Sequence, residues 1–408
     1  MTMLSAALSL LIAIPTLPAP SDPPAAAPQP ADAAPETTPP AEPAPPVGQW
    51  HPLTFEGKEG RIHEARLWSP EPEKANGVGV LLIGGGAATD MHWTIPGFVP
   101  TVEGRPDRQT TLDGQPTRDA DTIAQALVER GFAVLQWSMI HRDDPAYREN
   151  PIRAAGVEYP DSVDLTRSAL RLLREQPGID PNRIALVGHS LGATRACHVA
   201  DDGVIAIVCL SGANLSKIRG RPADLTERAL RAANDADIER DDAIDADEFQ
   251  LWAQRSDAPS LYRAGFIEMD RDHDGSLRGW ELAAQTAIAA LINGRTDVLE
   301  TSDQLRPGLP WPSDVLLNSK RPALVLYGGL DAAAVHGPLL EREIAQRGAT
   351  HITVQYLRGL GHQLSPELGL RFGPIDPAAV TRLATWLEKA CAAAPEPEPA
   401  SGADADGE

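Results

Sequence analysis

Short, nearly continuous apolar runs recur along two stretches of the chain and alternate with segments of helical spacing. Such runs, rich in Val and Ile, are typical of parallel strands that are buried on both faces. The runs lie at 78–84, 133–138, 183–188, 204–210, 322–329 and 352–357. Helices are predicted at 162–175, at about 334–347 and from Asp376–Pro377 onward. This order predicts a doubly wound, mostly parallel α/β sheet with helices on both faces.

One long segment, residues 216–317, interrupts the alternation. It is polar, acidic and helix-prone, and it contains no apolar run that predicts a strand. We therefore predict a helical cap, inserted between two parts of an α/β core at 48–215 and 318–391.

Both ends of the chain differ in composition from this core. Residues 4–14 are an apolar run too short to cross a bilayer, and Pro15 follows at once. They predict a signal peptide over 1–20, and hence secretion or a periplasmic location, with an uncleaved N-terminal anchor as the alternative. No membrane span is expected after cleavage. The Pro/Ala-rich residues 21–47 and the acidic residues 392–408 are predicted to be disordered.

Charge limits the partners of the protein. Lys and Arg number 36 against 57 Asp and Glu, and the net charge of −21 argues against nucleic acid. Eight carboxylates lie within 235–248 beside a single Arg240, a density that indicates either cation binding or only solubility. The odd number of cysteines, Cys197, Cys209 and Cys391, predicts buried free thiols rather than a disulfide framework.

The segment Gly188-His189-Ser190-Leu191-Gly192 lies between a predicted strand and a predicted helix. A serine at a tight strand-to-helix turn is forced outward, and only glycine two residues to either side leaves room for the turn. The Leu191 amide then points toward a developing oxyanion at the helix N-terminus. The motif thus predicts Ser190 as a nucleophile, with Gly188 and Gly192 forming its turn.

At these residues the chain resembles the α/β-hydrolase superfamily. The resemblance implies that the acid and the base follow the nucleophile in that order, each after a strand. Asp331 follows ALVLYGGL, and His362 follows ITVQYLRGLG. It also implies a second oxyanion donor after the strand at 78–84, for which we select the amide of Gly85, with Gly86 as the alternative. Ser190 would then attack an acyl carbonyl, His362 would take its proton, and Asp331 would orient the imidazole.

Within this superfamily the chain is most similar to dienelactone hydrolases and to the bile-acid-CoA:amino-acid N-acyltransferase and acyl-CoA thioester hydrolase group. The glycine-rich turn, the Asp-Pro-Asn-Arg-Ile segment and the Gly-Gly-Leu-Asp turn carry this similarity. Ser190 differs from the cysteine nucleophile of dienelactone hydrolases. The expected function is that of a serine hydrolase acting on a small ester or thioester. Two alternatives are a prolyl or aminopeptidase-type serine peptidase and a calcium-dependent binding module on a non-catalytic scaffold.

Several other residues of suitable type are weaker candidates because of their positions in the chain. They are His336 and His351 as the base, Asp314 as the acid, His189 and His198 as packing residues, and His92 and Trp93 as pocket or anchoring residues of the loop 87–118.

Residues 270–281, the second acidic loop, match the twelve-residue calcium loop of EF-hands. Oxygen ligands are required at positions 1, 3, 5, 7 and 12, with Gly at position 6 for a sharp turn. Gly275 meets the last requirement, and Arg278 at position 9 leaves that site to water. The predicted calcium ligands are Asp270, Asp272, Asp274, Ser276 through its carbonyl, and Glu281.

A weaker copy, the first acidic loop, occupies residues 237–248, with Asp242 at the glycine position. Ile244 and Leu277 both stand at position 8, so we expect them to pair. A solvated acidic helix is the alternative. Calcium, in excess outside the cell, is expected to play a structural role. The predicted ligands of this loop are Asp237, Glu239, Asp241, Ala243 through its carbonyl, Asp245 and Glu248.

Overall fold

The computed structural model places an eight-stranded sheet at the centre of the protein. It describes residues 49–86, 89–95, 110–144, 159–254, 265–295, 298, 308–368 and 371–393, all within one compact unit, Pro46–Glu408. The predicted signal peptide and linker lie outside the described residues, as does the predicted tail beyond its first two residues. In those two residues the last helix continues to Ala393.

The described strands include the six predicted apolar runs, and also two strands of eight residues and several short ones that the sequence did not indicate. In chain order they are β1 Gln49–Glu56, β2 Ile62–Ser69, β3 Gly79–Ile83, β4 Thr94–Ile95, β5 Thr110–Thr111, β6 Thr117–Arg118, β7 Ala133–His141, β8 Ile184–His189, β9 Val204–Leu210, β10 Ala243–Asp245, β11 Ser276–Arg278, β12 Ala323–Gly328, β13 Ile352–Leu357, β14 Glu367–Leu368 and β15 Arg371–Phe372.

Ten α-helices and two short 3-10 helices, Lys58–Gly60 and Ala332–Val335, accompany the strands in the described residues. The α-helices are α1 Asp119–Val128, α2 Tyr159–Arg174, α3 Leu191–Val199, α4 Pro222–Ala232, α5 Ala246–Ala253, α6 Phe266–Met269, α7 Gly279–Ile292, α8 Pro312–Asn318, α9 His336–Arg347 and α10 Pro377–Ala393. The predicted start of α10 is confirmed, because Asp376 Oδ1 accepts the amide of Ala378 at 2.7 Å.

The central sheet has the order β1-β2-β7-β3-β8-β9-β12-β13 and is parallel from β7 to β13. β1 and β2 form an antiparallel hairpin, and β2 joins β7 in antiparallel fashion. The prediction missed this hairpin because buried and partly exposed residues alternate along β2, whereas the prediction rested on continuous apolar runs. The connection of five residues between β1 and β2 is also too short for a parallel crossover.

Helices cover both faces of the sheet, as the predicted doubly wound architecture requires. On one face, Ile123 of α1 and Leu387 of α10 pack with Val80 in one apolar core. On the other face, Leu173 of α2 packs in a second core that also contains Leu277 of the insert. The inserted segment therefore shares a continuous core with the sheet and is not an independent domain.

The insert differs from the prediction in one respect. β10 and β11 are strands of three residues within a segment for which no strand was expected. They pair antiparallel, with Ile244 opposite Leu277, so the predicted contact of these two residues is present. Three-residue strands leave no apolar run long enough to stand out from the surrounding polar sequence.

Cys197, Cys209 and Cys391 are buried free thiols, as predicted. In the described part of the chain, no helix has both the length and the hydropathy needed to cross a membrane.

Candidate active site

Ser190 lies at a sharp turn between β8 and α3. Its backbone has φ 53° and ψ −121°, a combination that costs about 1–3 kcal/mol for a non-glycine residue. The turn requires both of its glycines: a Cβ at Gly188 would overlap the Gly192 carbonyl, and a Cβ at Gly192 would overlap the Ile83 carbonyl. The geometry is that of the predicted strand-to-helix turn, with the serine side chain at the carboxyl end of the parallel strands.

Three side chains from different parts of the chain meet at this turn. Ser190 Oγ donates to His362 Nε2 at 3.0 Å, and His362 Nδ1 donates to Asp331 Oδ1 at 3.0 Å. Asp331 follows β12 and His362 follows β13, the two last strands of the parallel series. Because parallel strands end at the same edge of the sheet, residues 172 positions apart come into hydrogen-bonding contact.

Electrostatics favours an imidazole that accepts protons. Burial opposes the charged form of His362, but the Asp331 carboxylate outweighs burial and raises the pKa of His362 above its ordinary value. Burial likewise opposes the charge of Asp331, yet His362 and the backbone amide of Ala333 hold the pKa of Asp331 below its ordinary value. The carboxylate is 4% exposed, so its attraction to an imidazolium is only weakly screened.

The predicted oxyanion donors lie next to Ser190. Leu191 begins α3, and amides in the first turn of a helix have no acceptor within the helix. A Cβ at Gly85 would be 2.9 Å from the Ser190 Cβ, which places the Gly85 backbone against the serine. Both amides are thus close to the position where a carbonyl oxygen would approach Ser190.

Arg195 is a residue that sequence reasoning missed. It is almost fully buried on α3, and its Nη1 donates to the Gly84 carbonyl at 2.9 Å while its Nη2 donates to the Gly86 carbonyl. These bonds fix the turn that contains Gly85. The sequence did not indicate this contact, because Arg195 and Gly84 are more than 100 residues apart in the chain.

His189 and Trp93 form one side of the site. The His189 ring lies 5.1 Å from the His362 ring and 5.8 Å from Trp93. His189 Nε2 donates to the His362 carbonyl at 2.9 Å, and burial, with the neighbouring His362, lowers the pKa of His189 to about 4. His189 therefore stays neutral near pH 7. His92 Nδ1, by contrast, contacts Asp121 Oδ1 of α1 at 2.8 Å.

Residues considered as substitutes for the three central side chains lie elsewhere. Asp314 pairs with Lys217 at 2.8 Å and with Arg347 at 3.1 Å. His351 contacts the Leu316 carbonyl, and His198 contacts Tyr159 and the Pro310 carbonyl. His336 contacts Ser216 Oγ at 2.8 Å, which makes a second Ser–His pair that is separate from Ser190.

The two acidic loops have the same internal pattern of hydrogen bonds. In each, the first Asp accepts amides of positions 5 and 6, from Asp241 and Asp242 to Asp237 and from Asp274 and Gly275 to Asp270. The residues at position 6 share positive φ values, 63° at Asp242 and 89° at Gly275. The first loop thus adopts the same turn despite the missing glycine.

The loops differ in how they assemble carboxylates. Among the described residues, only Asp270, Asp272 and Asp274 bring three potential ligand atoms within 4.8 Å of one another. In the first loop, Glu239 and Asp241 are exposed, and Asp245 forms a capping box with Glu248 at the start of α5. Ser276 and Ala243, the residues at position 7 of the two loops, are the first residues of β11 and β10.

Burial disfavours the negative charges of two carboxylates in the second acidic loop. Glu281 is 3% exposed, and burial raises its pKa to about 8 although its two oxygens accept the amides of Arg271 and Arg278. Burial, and then the neighbouring Asp274, raises the pKa of Asp272 to about 6. Asp272 Oδ2 is buried and has no hydrogen-bond partner in the described structure. This donor set of hard oxygens fits a calcium ion.

The sequence matches the Alpha/beta hydrolase family over residues 80–370, which is more than half of the chain. Together with the mostly parallel sheet, this match shows that the chain belongs to the α/β-hydrolase family. No curated protein matches the sequence.

Solved structures similar to the chain include three hydrolases. A hyperthermophilic esterase from the archaeon Pyrobaculum calidifontis is 18% identical, with 84% of each chain covered and a TM-score of 0.44. Carboxyl esterase 2 from the fungus Tuber melanosporum is 14% identical, with 86% of this chain and 89% of that chain covered and a TM-score of 0.45. Dienelactone hydrolase from Anabaena variabilis is 12% identical, with 86% and 99% covered and a TM-score of 0.43.

Proposed function

We propose that the chain is an exported serine hydrolase that cleaves a carboxylic ester or a related acyl bond such as a thioester, and that its insert binds calcium. The observation that carries the proposal is the continuous relay from Ser190 through His362 to Asp331, with 3.0 Å at each hydrogen bond. The apolar run at residues 4–14 supports export.

In the proposed mechanism Ser190 Oγ attacks the acyl carbonyl while its proton moves to His362 Nε2. The Asp331 carboxylate holds Nδ1–H and stabilises the imidazolium, and the amides of Leu191 and Gly85 donate to the oxyanion. His362 then protonates the leaving group, which departs and leaves an acyl-enzyme. Water, deprotonated by His362, attacks this ester and releases the acid and Ser190.

A fluorophosphonate probe tests this proposal without knowledge of the substrate. The mature protein is expected to gain one covalent adduct, located on Ser190 by peptide mass spectrometry, because the probe reacts only with an activated serine. A panel of a p-nitrophenyl ester, an acyl-CoA thioester and an aminoacyl anilide then identifies the bond. Absence of an adduct on folded protein would favour the binding-module alternative, and cleavage of the anilide alone would favour a peptidase.

Calcium binding is proposed for the second acidic loop. Asp270, Asp272, Asp274 and Glu281 would hold the ion with their side chains and Ser276 with its carbonyl, and the ion would offset repulsion among carboxylates within 4.8 Å of one another. The first loop is the weaker candidate, since its acidic residues at positions 3 and 5 are exposed and, among the described residues, only the second loop brings three ligand atoms within 4.8 Å of one another.

Calcium at about 100 times its Kd is expected to raise the free energy of unfolding by about 2.7 kcal/mol. Thermal unfolding followed by circular dichroism, in calcium and in chelator, measures this shift. Glu281→Gln should remove most of it, whereas the matched variant Glu248→Gln in the first loop should retain it. Equal unfolding temperatures of the wild type in calcium and in chelator would contradict calcium binding.

A further inference from the structure

The second acidic loop is in direct contact with the turn that carries Asp331. Trp280 Nε1, at position 11 of the loop, donates to the Gly329 carbonyl at 2.8 Å. At position 3, Asp272 packs so closely on the same glycine that a Cβ at position 329 would overlap its Oδ2. Gly329 is two residues before Asp331. Two side chains of the loop therefore contact the backbone that positions this carboxylate.

An aromatic stack connects the same loop to both strands that lead to the site. The Trp280 ring stacks on Tyr356, with centroids 5.2 Å apart and planes at 19°. Tyr356 lies on β13 and stacks in turn on Tyr327 of β12 at 6.2 Å. β12 ends immediately before the Asp331 turn, and β13 precedes His362. The stack therefore connects Trp280 to the two strands that precede the acid and the base.

Asp272 belongs both to this contact and to the carboxylate cluster. It is 8% exposed, and its Oδ2, the atom that a Cβ at position 329 would overlap, has no hydrogen-bond partner among the described residues. Its carboxylate also lies within 4.8 Å of those of Asp270 and Asp274. A divalent cation held by the three would attract the Asp272 carboxylate, whereas without a cation the two neighbouring carboxylates repel it.

We infer that the second acidic loop is a positioning element for the active site, in which cation occupancy controls the Gly329–Asp331 turn through Asp272 and Trp280. This inference rests on the proposed serine-hydrolase function and extends it. Trp280 is a positioning residue: it does not touch the reacting atoms, but it holds the turn from which Asp331 orients His362. The ion would thus adjust the strength of the His362–Asp331 hydrogen bond from outside the site.

Trp280→Phe tests the contact, because phenylalanine retains a smaller aromatic ring against Tyr356 and lacks the donor to Gly329. We expect kcat to fall about 10-fold with KM unchanged, a loss typical of supporting residues around a site. The acid limb of kcat/KM should move toward pH 6.5, since a less well-placed Asp331 raises the pKa of His362 less. Glu367 and His189, the other titratable groups beside His362, are unaltered.

Trp252→Phe is the matched control, since Trp252 is a buried tryptophan of the same insert, on α5. It should leave both kcat and the acid limb unchanged. Equal behaviour of the two folded variants would overturn the inference and leave the loop a purely structural element.

The cation itself is tested on wild-type protein by proton NMR. The far-downfield signal of the His362 Nδ1 proton should shift between chelator and calcium, and Glu281→Gln should abolish the shift while Glu248→Gln preserves it. A signal that does not change as calcium binds would overturn the inference. The fluorophosphonate adduct on Ser190 separates the two proposals, because its absence refutes the hydrolase function, whereas an adduct with an unchanged signal refutes only the coupling.

Discussion

Ser190→Ala is expected to lower kcat for hydrolysis by a factor on the order of 10⁶, because no other described group replaces the nucleophile of the relay. The residual rate would come from binding and from the oxyanion donors alone. Steady-state kinetics with the best substrate of the panel measures the loss, and circular dichroism verifies that the variant is folded. The substitution removes only one oxygen atom from a partly exposed side chain, so we expect little change in the free energy of unfolding.

Ser216→Ala is a demanding control, since Ser216 also contacts a histidine. His336 Nε2 accepts the Asn214 amide at 3.1 Å, so in the neutral ring the proton is on Nδ1 and is donated to Ser216 Oγ at 2.8 Å. His336 therefore cannot accept a proton from Ser216. The variant should keep kcat within about twofold while it loses about 1 kcal/mol of stability. Equal losses of activity in both variants would contradict the assignment of Ser190.

Asp331→Asn is expected to reduce kcat about 10⁴-fold, because the asparagine amide can stabilise the wrong imidazole tautomer. The pH dependence should change as well. His362 acts as a base only when neutral, so wild-type kcat/KM is lost as pH falls through the pKa of His362, which Asp331 raises above 6.5. Removal of the negative charge lowers that pKa, and the acid limb moves to lower pH. A pH series of kcat/KM measures both effects.

Asp314→Asn provides the comparison for this variant. Asp314 is the acid that the sequence offered as an alternative, but it forms ion pairs with Lys217 and Arg347 on the surface. Such pairs contribute about 0–1 kcal/mol to stability. Activity and the position of the acid limb should stay at wild-type values. A large loss in this variant, with Asp331→Asn unaffected, would reverse the assignment of the acid.

The parallel part of the fold was predictable because strands buried on both faces leave continuous apolar runs in the sequence. All six predicted strands are present, with ends that agree within three residues. The β1–β2 hairpin has one partly exposed face, and the pairing of β10 with β11 involves only three residues on each strand. Neither leaves a run of that kind, so periodicity alone did not indicate them.

The geometry of the site was predictable to the extent that local turns determine it. The strained turn at Ser190 is encoded by two glycines in five residues, whereas the choice and order of Asp331 and His362 came from the resemblance to α/β-hydrolases. Contacts between distant segments were not encoded in this way. Neither the hold of Arg195 on the Gly84–Gly86 turn nor the contact of Trp280 with Gly329 has a local signature.

The insert leaves the sheet after β9 and returns at β12, and these two strands are hydrogen-bonded neighbours, with Leu210 opposite Leu326. Because the two strands are parallel, the insert leaves at the carboxyl edge of the sheet and returns at the opposite edge, so it also serves as the crossover connection. For a chain segment whose two ends are fixed by the sheet, doubling its length costs only about 0.6 kcal/mol in closure entropy. A change in the length of this segment should therefore leave the register of β9 against β12 unchanged, because the ladder between these two strands fixes both of its ends.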